Sequence, residues 1–410
     1  MLINEATKEY IRQHKDEDVK KLALHGTKDN HIDLPMALQQ IAGRQTAHKK
    51  LPSWAAVDGI IYPPHLNMEQ CSSEKTAKYK AKIAGKGESL VDLTGGFGVD
   101  FYWMSQGFKR RTYIEQNREL CTISSENFRL LGLECDVCCC NTEQYLKSMK
   151  HADVVYLDPA RRNEHGERTY SIEDCTPNVL KLLPLLQEKA DKIILKLSPM
   201  LDWRKAVEDM KHVSEVHIIS VNNDCKELLL ALERESKSLQ SILCINDDIV
   251  FRWFPQQEPS VSALETKSFL HRNHRFLLRK PNGITISVDD VQYLYEPNAS
   301  IMKAGCFLAV EEQYPVQQLS PNSHLFVSSV EIDDFPGRRF QISAISSMNK
   351  QELKVTLKDV EKANIAVRNF PLSVDQLRKK LKMKDGGDIY LFATTLADGQ
   401  RRLFICRKIG

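Results

Sequence analysis

The stretch SLVDLTGGFGVD, residues 89–100, constrains this chain more than any other. A short apolar strand runs into a glycine turn and on into the helix-like FYWMSQGF. Glycines at that junction let the backbone approach a ligand closely, and the following helix presents its free N-terminal amides. The alternation then repeats. RTYIEQN reads as a second strand before the helix RELCTISSENFRLLG; ECDVCCCN is a third and ADVVYLDPA a fourth. DKIILKLSP is a fifth, after the helix TPNVLKLLPLLQEKA, and SEVHIISVN with LLLALERE to SILCIND completes the sheet. Strands alternating with helices predict an α/β fold, a doubly wound and mostly parallel sheet over 81–255.

The flanks read differently. Residues 1–80 are helical: TKEYIRQHKDEDVKKLAL and LPMALQQIAGRQTAHKKL carry apolar residues at helical spacing. PSWAAVDGIIYPPHLNMEQ, with three prolines, is expected to be an extended connector. SSEKTAKYKAKIAG then opens a helix capped by Ser72 or Ser73, with Glu74 in its first turn. After the polar linker PQQEPSVSALETKS, the segments GITISV, HLFVSSVEI, RFQISAISS and DIYLFATTL alternate with short helices. That pattern predicts α+β pieces over 270–325 and 330–410.

Composition excludes several classes. Hydrophobic residues at 42% and charged ones at 27% are globular proportions. No apolar run reaches membrane-spanning length, and the first 21 residues lack the apolar core of a signal peptide, so a cytoplasmic protein is expected. Eleven cysteines, three of them adjacent at 138–140, read as reduced thiols, and the cluster is expected to lie on or beside a buried strand. Cys135 and Cys138 form one CxxC, but no second CxxC exists, so no metal is expected. The net charge of +3 hides an asymmetry. From Pro336 onward sixteen Lys and Arg face seven Asp and Glu, a net +9, which leaves −6 for residues 1–335. A basic module on a slightly acidic body points to a polyanionic partner, RNA.

Ligands of an open α/β sheet sit beyond the C-terminal strand ends. The first strand ends in Asp92-Leu-Thr-Gly-Gly-Phe-Gly98. Asp92 is placed for the cationic end of a cofactor, and Gly96 and Gly98 for close backbone approach. Glu115 ends the second strand, where a carboxylate accepts two ribose hydroxyls. Asn141, after the third strand, is placed to touch an adenine edge. The fourth strand ends in Asp158-Pro159-Ala160-Arg161-Arg162. There Asp158 is an acceptor, Pro159 fixes the loop, and the Arg161 plane suits a base or a phosphate. In the tail, Ser373 and Gln376 have capping-box spacing, and Gly386 and Gly387 are expected to stop the helix. Arg368, Arg378, Lys379 and Lys382 are the candidate RNA contacts.

This order of motifs resembles class I S-adenosylmethionine-dependent methyltransferases, the Rossmann-like type. Their first motif runs D/E-x-G-x-G-x-G, and Thr94 stands here in the first glycine place. Their amine-methylating members carry an Asn/Asp-Pro-Pro-aromatic loop after strand four; Arg161 takes the aromatic position. EQCSSEKTAKYKA resembles the segment that precedes the glycine loop in trimethylguanosine synthases, which would bring Ser73 and Glu74 near the cofactor. A DPAR loop also occurs in carbon-5 uridine methyltransferases, whose cysteine lies just beyond strand five. Here that place reads Lys196-Leu-Ser-Pro-Met200, and Cys175 is expected to pack, so transfer to nitrogen is favoured. YLDPARR, EDCTPN, LKLSPMLD, YEPNASIMKAG and NIAVRNFPLSVDQLRKKL resemble bacterial methyltransferases with a C-terminal THUMP-like domain, over nearly the whole length. The resemblance implies a helical N-terminal region, a methyltransferase domain, a small ferredoxin-like piece and a THUMP-like end, and methylation of a base nitrogen in tRNA or rRNA. The competing readings are a methyltransferase acting on protein or a small molecule, and a non-catalytic RNA-binding protein that has kept the fold.

Overall fold

The computed structural model describes residues 3–160, 172–236, 238–255, 277–279, 285–287 and 290–409. Two compact units divide the chain: 1–216 with 227–239, and 217–226 with 240–410.

The first unit opens with helices α1 (Glu5–His14), α2 (Val19–His25), α3 (Leu34–Lys50), α4 (Pro52–Ala55), α5 (His65–Gln70) and α6 (Glu74–Ala84). The first helical stretch of the sequence is two helices, because Asp18 caps a new start by accepting from the Lys20 N–H. The expected extended connector is instead folded into the core. It carries α4 and α5, and its Trp54, Ile60, Tyr62 and Met68 are buried. Two buried amides hold its middle. Gln40 accepts from the Tyr62 N–H at 2.8 Å and donates to the Tyr62 carbonyl at 2.9 Å. Asn127 does the same for Ile61, at 2.9 and 2.8 Å. Each amide serves a backbone segment that has no strand partner, so its buried polar groups are satisfied.

The alternating series follows as β1 (Gly87–Asp92), α7 (Val99–Ser105), β2 (Phe108–Glu115), α8 (Arg118–Leu130), β3 (Asp136–Cys139), α9 (Thr142–Ser148), β4 (Ala152–Leu157), α10 (Val179–Lys189), β5 (Ala190–Leu197), α11 (Trp203–Met210), β6 (Val213–Val221) and β7 (Asp224–Glu233). The strands lie in the order β3-β2-β1-β4-β5-β7-β6. β1 to β5 pair in parallel, and β7 runs antiparallel to β5. This is the doubly wound, mostly parallel sheet that the alternation implies. β1, β4 and β5 read as apolar runs because helices cover both faces of a parallel sheet. The cysteine-rich strand is β3 at the sheet edge. It is half-exposed, not buried, and all eleven cysteines are free.

The second unit holds the hairpin β8 (Ser241–Asn246) and β9 (Ile249–Trp253), and the pair β10 (Leu277–Arg279) and β11 (Thr285–Ser287). Then come β12 (Tyr293–Pro297), α12 (Ala299–Ala304), α13 (Phe307–Gln313), β13 (Gln317–Gln318), β14 (Phe326–Ser328), β15 (Gly337–Ser346), α14 (Lys350–Thr356), β16 (Asn364–Arg368), α15 (Val374–Leu381), β17 (Ile389–Thr395) and β18 (Arg401–Ile409). One seven-stranded sheet runs β13-β14-β12-β15-β18-β17-β16. β12 and β15, from either side of residue 330, pair directly over five residues. The α15 capping box between Ser373 and Gln376 is present. The helix stops before the glycines, with Lys382 itself in the left-handed region at φ 56°.

Candidate active site

Strand order decides where a ligand would sit. β1 pairs with β2 on one side and β4 on the other, so the winding reverses there, and the C-terminal ends of these strands are where a sheet of this order takes its ligand. Asp92 ends β1, Glu115 ends β2 and Asp158 follows β4. The three carboxylates read from separate motifs therefore share one rim.

The glycine turn is shaped by what lies beneath it. A Cβ at Gly95 would lie 2.0 Å from the Tyr113 ring, and one at Gly98, where φ is 82°, would lie 2.5 Å from Phe128. At Gly96, where φ is 57°, the nearest atom would be the Thr94 carbonyl oxygen at 3.9 Å, an ordinary contact, so here the backbone conformation and not crowding favours glycine. Gly95 escaped the sequence reading; its need is set by a ring on the neighbouring strand. Glu115 Oε2 accepts the Gly96 N–H at 2.8 Å, and Oε1 accepts the Asn117 N–H at 2.7 Å. Asp92 is buried and accepts the Thr94 N–H at 2.9 Å. Thr94 Oγ1 in turn accepts the Asp158 N–H at 2.6 Å. The threonine in place of the first glycine thus ties the loop after β4 to the loop after β1. Burial pushes the Asp92 carboxyl well above its ordinary value, and the nearby Asp100, Asp158 and Glu115 push the same way.

Asn141 is the cap of α9, accepting the Glu143 N–H at 2.8 Å, and is exposed. Its neighbour Thr142 donates to the Leu93 carbonyl at 2.7 Å, which ties the start of α9 to the end of β1. Ser73 and Glu74 are otherwise engaged. Ser73 caps α6, while Glu74 accepts from the Ser53 backbone and hydroxyl and pairs with Lys78 at 2.6 Å. Pro159 is buried and Cys175 packs at 5% exposure. Arg161 lies outside the described residues.

Beneath the rim runs a buried ionic network that motif reading did not find. The Lys196 ammonium, at the end of β5, meets Asp158 Oδ2 at 2.5 Å and Asp100 at 3.8 Å. Lys80, with no exposed surface, meets Glu227 at 2.5 Å, Asp100 at 3.0 Å and the Ser72 hydroxyl at 2.7 Å. The Tyr156 hydroxyl donates to Asp100 at 2.7 Å. Burial alone would raise Asp100 and Glu227, but the Lys80 and Lys196 ammoniums outweigh it and hold both below their ordinary values. Burial alone would lower Lys196; Asp158, Asp100 and Glu227 overcome it and raise Lys196 well above its ordinary value. The signal in the sequence was a lysine inside an apolar strand, IILKLSP, and another in the middle of α6.

The four tail residues divide. Arg368 pairs at 2.6 Å with the buried Glu296, which also takes Arg338. Arg378 pairs with Asp385 at 2.6 Å and donates to the Ala363 carbonyl. Both arginines hold the second unit together. Lys379 and Lys382 are exposed, as are Lys380 and Lys384. No cluster of His, Cys, Asp or Glu able to hold a metal occurs among the described residues, and no helix there is long and apolar enough to cross a membrane.

The crystal structure of a protein from Porphyromonas gingivalis W83, assigned as a methyltransferase, matches 100% of this chain and 100% of its own length at 31% identity, with a TM-score of 0.82. The chain belongs to this methyltransferase family. Its residues 337–408 match a THUMP domain-like family and 293–336 a ferredoxin-like domain. Shorter matches include TrmK of M. capricolum in complex with S-adenosyl-homocysteine (14% identity, 40% of this chain and 69% of that one, TM-score 0.31). Another is an rRNA methylase from Streptococcus thermophilus (13% identity, 38% and 93%, TM-score 0.29). No curated protein matches the sequence. The methyltransferase sheet thus stands as the motifs implied. The family boundary at 336/337 falls between β12 and β15, which pair within one sheet.

Proposed function

We propose that this methyltransferase moves the methyl group of S-adenosylmethionine to a base nitrogen of an RNA, tRNA or rRNA. The residues fit the cofactor. In the turn Gly95–Gly98 the one side chain, Phe97, is buried, and a Cβ at Gly96 would meet nothing nearer than 3.9 Å. Glu115 keeps a second lone pair on each carboxylate oxygen for the ribose hydroxyls. Asp92 is proposed to offer a carboxylate to the cationic end, and Asn141, next to the Thr142 that bonds to Leu93, to reach the adenine edge. When bound, the cofactor supplies an electrophilic methyl group on a positively charged sulfur.

The observation that carries the catalytic part is the tether from Thr94 Oγ1 to the Asp158 N–H. It fixes a half-exposed acceptor carboxylate at the switch point, where a nitrogen nucleophile would approach the methyl carbon in line. Asp158 orients the N–H of that nitrogen and Pro159 stiffens the loop; Arg161 is proposed to stack on the base or bind its phosphate. RNA as the acceptor rests on the THUMP-like match and on the excess of positive charge after Pro336. Lys379 and Lys382 remain the proposed phosphate contacts, and the two paired arginines no longer serve as free ones. Ser73 and Glu74 act through the placement of α6.

Replacing Asp158 by Ala tests this reading. S-adenosylmethionine binding, measured by calorimetry, should stay within about threefold, while methyl transfer to RNA falls by about two orders of magnitude. Loss of cofactor binding in that variant would instead make Asp158 a cofactor or folding residue.

A further inference from the structure

We propose that Lys196 is the positioning residue for methyl transfer, its buried ammonium gripping one oxygen of Asp158 so that the other meets the substrate N–H. The inference rests on the reading of Asp158 given above. The geometry is specific. Asp158 is held at two points: its N–H by Thr94 Oγ1 at 2.6 Å and its Oδ2 by Lys196 at 2.5 Å. Oδ1 has no hydrogen-bond partner among the described residues, on a side chain that is 35% exposed. A carboxylate on a loop after a strand would otherwise rotate about two bonds. Two tethers remove that freedom before the substrate arrives, which is the preorganisation that in-line transfer requires.

The lysine is itself held from behind. Asp100 lies 3.8 Å from Lys196, and Asp100 is fixed by Lys80, Ser72 and Tyr156. The grip on Asp158 therefore reaches back through β5, α7, β4 and α6 to Glu227 on β7. A lysine exposed to water would wander over several rotamers; one with 5% exposure does not.

The arrangement also selects the nucleophile. A carboxylate oxygen, charged and acceptor-only, attracts a nitrogen that carries hydrogen and repels the bare lone pair of a ring nitrogen without one. The class of substrate is thus an N–H-bearing nitrogen, such as an exocyclic base amine. Its lone pair forms the bond to the methyl carbon as the carbon–sulfur bond breaks, with that electron pair passing to sulfur. The nitrogen's surplus proton leaves to Asp158 Oδ1 and from there to water.

The test compares wild type with Lys196→Met, Lys196→Arg, Asp158→Ala and the double variant Lys196→Met/Asp158→Ala. Lys196→Met is expected to fold, because Asp100 keeps Lys80, Ser72 and Tyr156, and Asp158 is open to water; thermal melting checks this. The expected result for Lys196→Met is kcat lower by about 100-fold, with RNA KM and S-adenosylmethionine Kd each within about threefold. Lys196→Arg should recover most of the rate. The double variant should be no slower than Asp158→Ala, because the lysine acts only through that carboxylate. A crystal structure of Lys196→Met with S-adenosyl-homocysteine should show the Asp158 carboxylate turned from its wild-type rotamer. A folded Lys196→Met enzyme with wild-type kcat, or an unmoved Asp158, overturns the inference. A wild-type enzyme that methylates no RNA overturns the proposed substrate instead, and the rotamer of Asp158 still decides the role of Lys196.

Discussion

Replacing Lys80 by Met should destabilise the first unit severely. Its ammonium is fully buried and meets three partners: Glu227 at 2.5 Å, Asp100 at 3.0 Å and Ser72 at 2.7 Å. Methionine fills nearly the same volume, so the loss is electrostatic and not a cavity. Two buried carboxylates would then share the single remaining ammonium, Lys196, which is 3.8 Å from Asp100 and already committed to Asp158. Breaking a buried pair by removing one partner costs about 3–5 kcal/mol. A value near the middle, about 4 kcal/mol, lowers the folding constant nearly a thousandfold. Urea unfolding followed by tryptophan fluorescence reads this directly, since Trp54, Trp103 and Trp203 lie in the first unit. Adding Glu227→Gln should recover at least half the loss, because Asp100 still has Lys196, Ser72 and Tyr156. The acid dependence has a definite sign. Asp100 and Glu227 are held below their ordinary values, so their contribution is present above the ordinary carboxylate range and lost as pH falls through their lowered values. The deficit of Lys80→Met should therefore shrink on acidification. A loss below about 1 kcal/mol, with no rescue from Glu227→Gln, would refute the argument and reduce the network to incidental contacts.

Other expectations follow from single contacts. Asp92 is held well above its ordinary value by burial and by three neighbouring carboxylates, so ionising it costs stability as pH rises from its unfolded value towards its folded one. Asp92→Asn should raise the melting temperature at pH 8 while weakening S-adenosylmethionine binding about 10- to 100-fold by calorimetry. Gly95→Ala should cost about 1–3 kcal/mol and at least tenfold in cofactor affinity, because its methyl group falls on the Tyr113 ring, which is fully buried. Gly96→Ala, whose methyl group would meet nothing nearer than 3.9 Å, should perturb folding less, about 1–2 kcal/mol for its positive φ. Replacing Lys379 and Lys382 together by Ala should reduce the salt slope of RNA binding by about 1–2. These substitutions are the sound test of the tail, since cutting the chain at 336 would strip β15 from β12.

The layout of the sheet was legible because parallel strands buried on both faces leave apolar runs, and caps and glycines mark their ends. The positions of Asp92, Glu115 and Asp158 at strand ends were legible because each stands where an apolar run stops. What escaped the sequence depends on contacts between distant segments. Gly95 answers to Tyr113, and the connector at 52–70 is folded because Gln40 and Asn127 satisfy its backbone, which no local pattern announces. Arg368 looked like a nucleic-acid contact because its partner Glu296 is 72 residues away. Lys80 and Lys196 looked like ordinary lysines because burial is invisible to composition. Their presence inside apolar faces was the only local sign.

The most direct measurement is transfer of radiolabelled methyl from S-adenosylmethionine to total RNA from a strain lacking this gene, with RNA from the parent strain as control. Label is expected in the deletion-strain RNA alone, found on digestion in a nucleoside methylated at a nitrogen that carried hydrogen. Label in neither RNA, from an enzyme shown to bind S-adenosylmethionine, would contradict it and make the acceptor a protein or a small molecule.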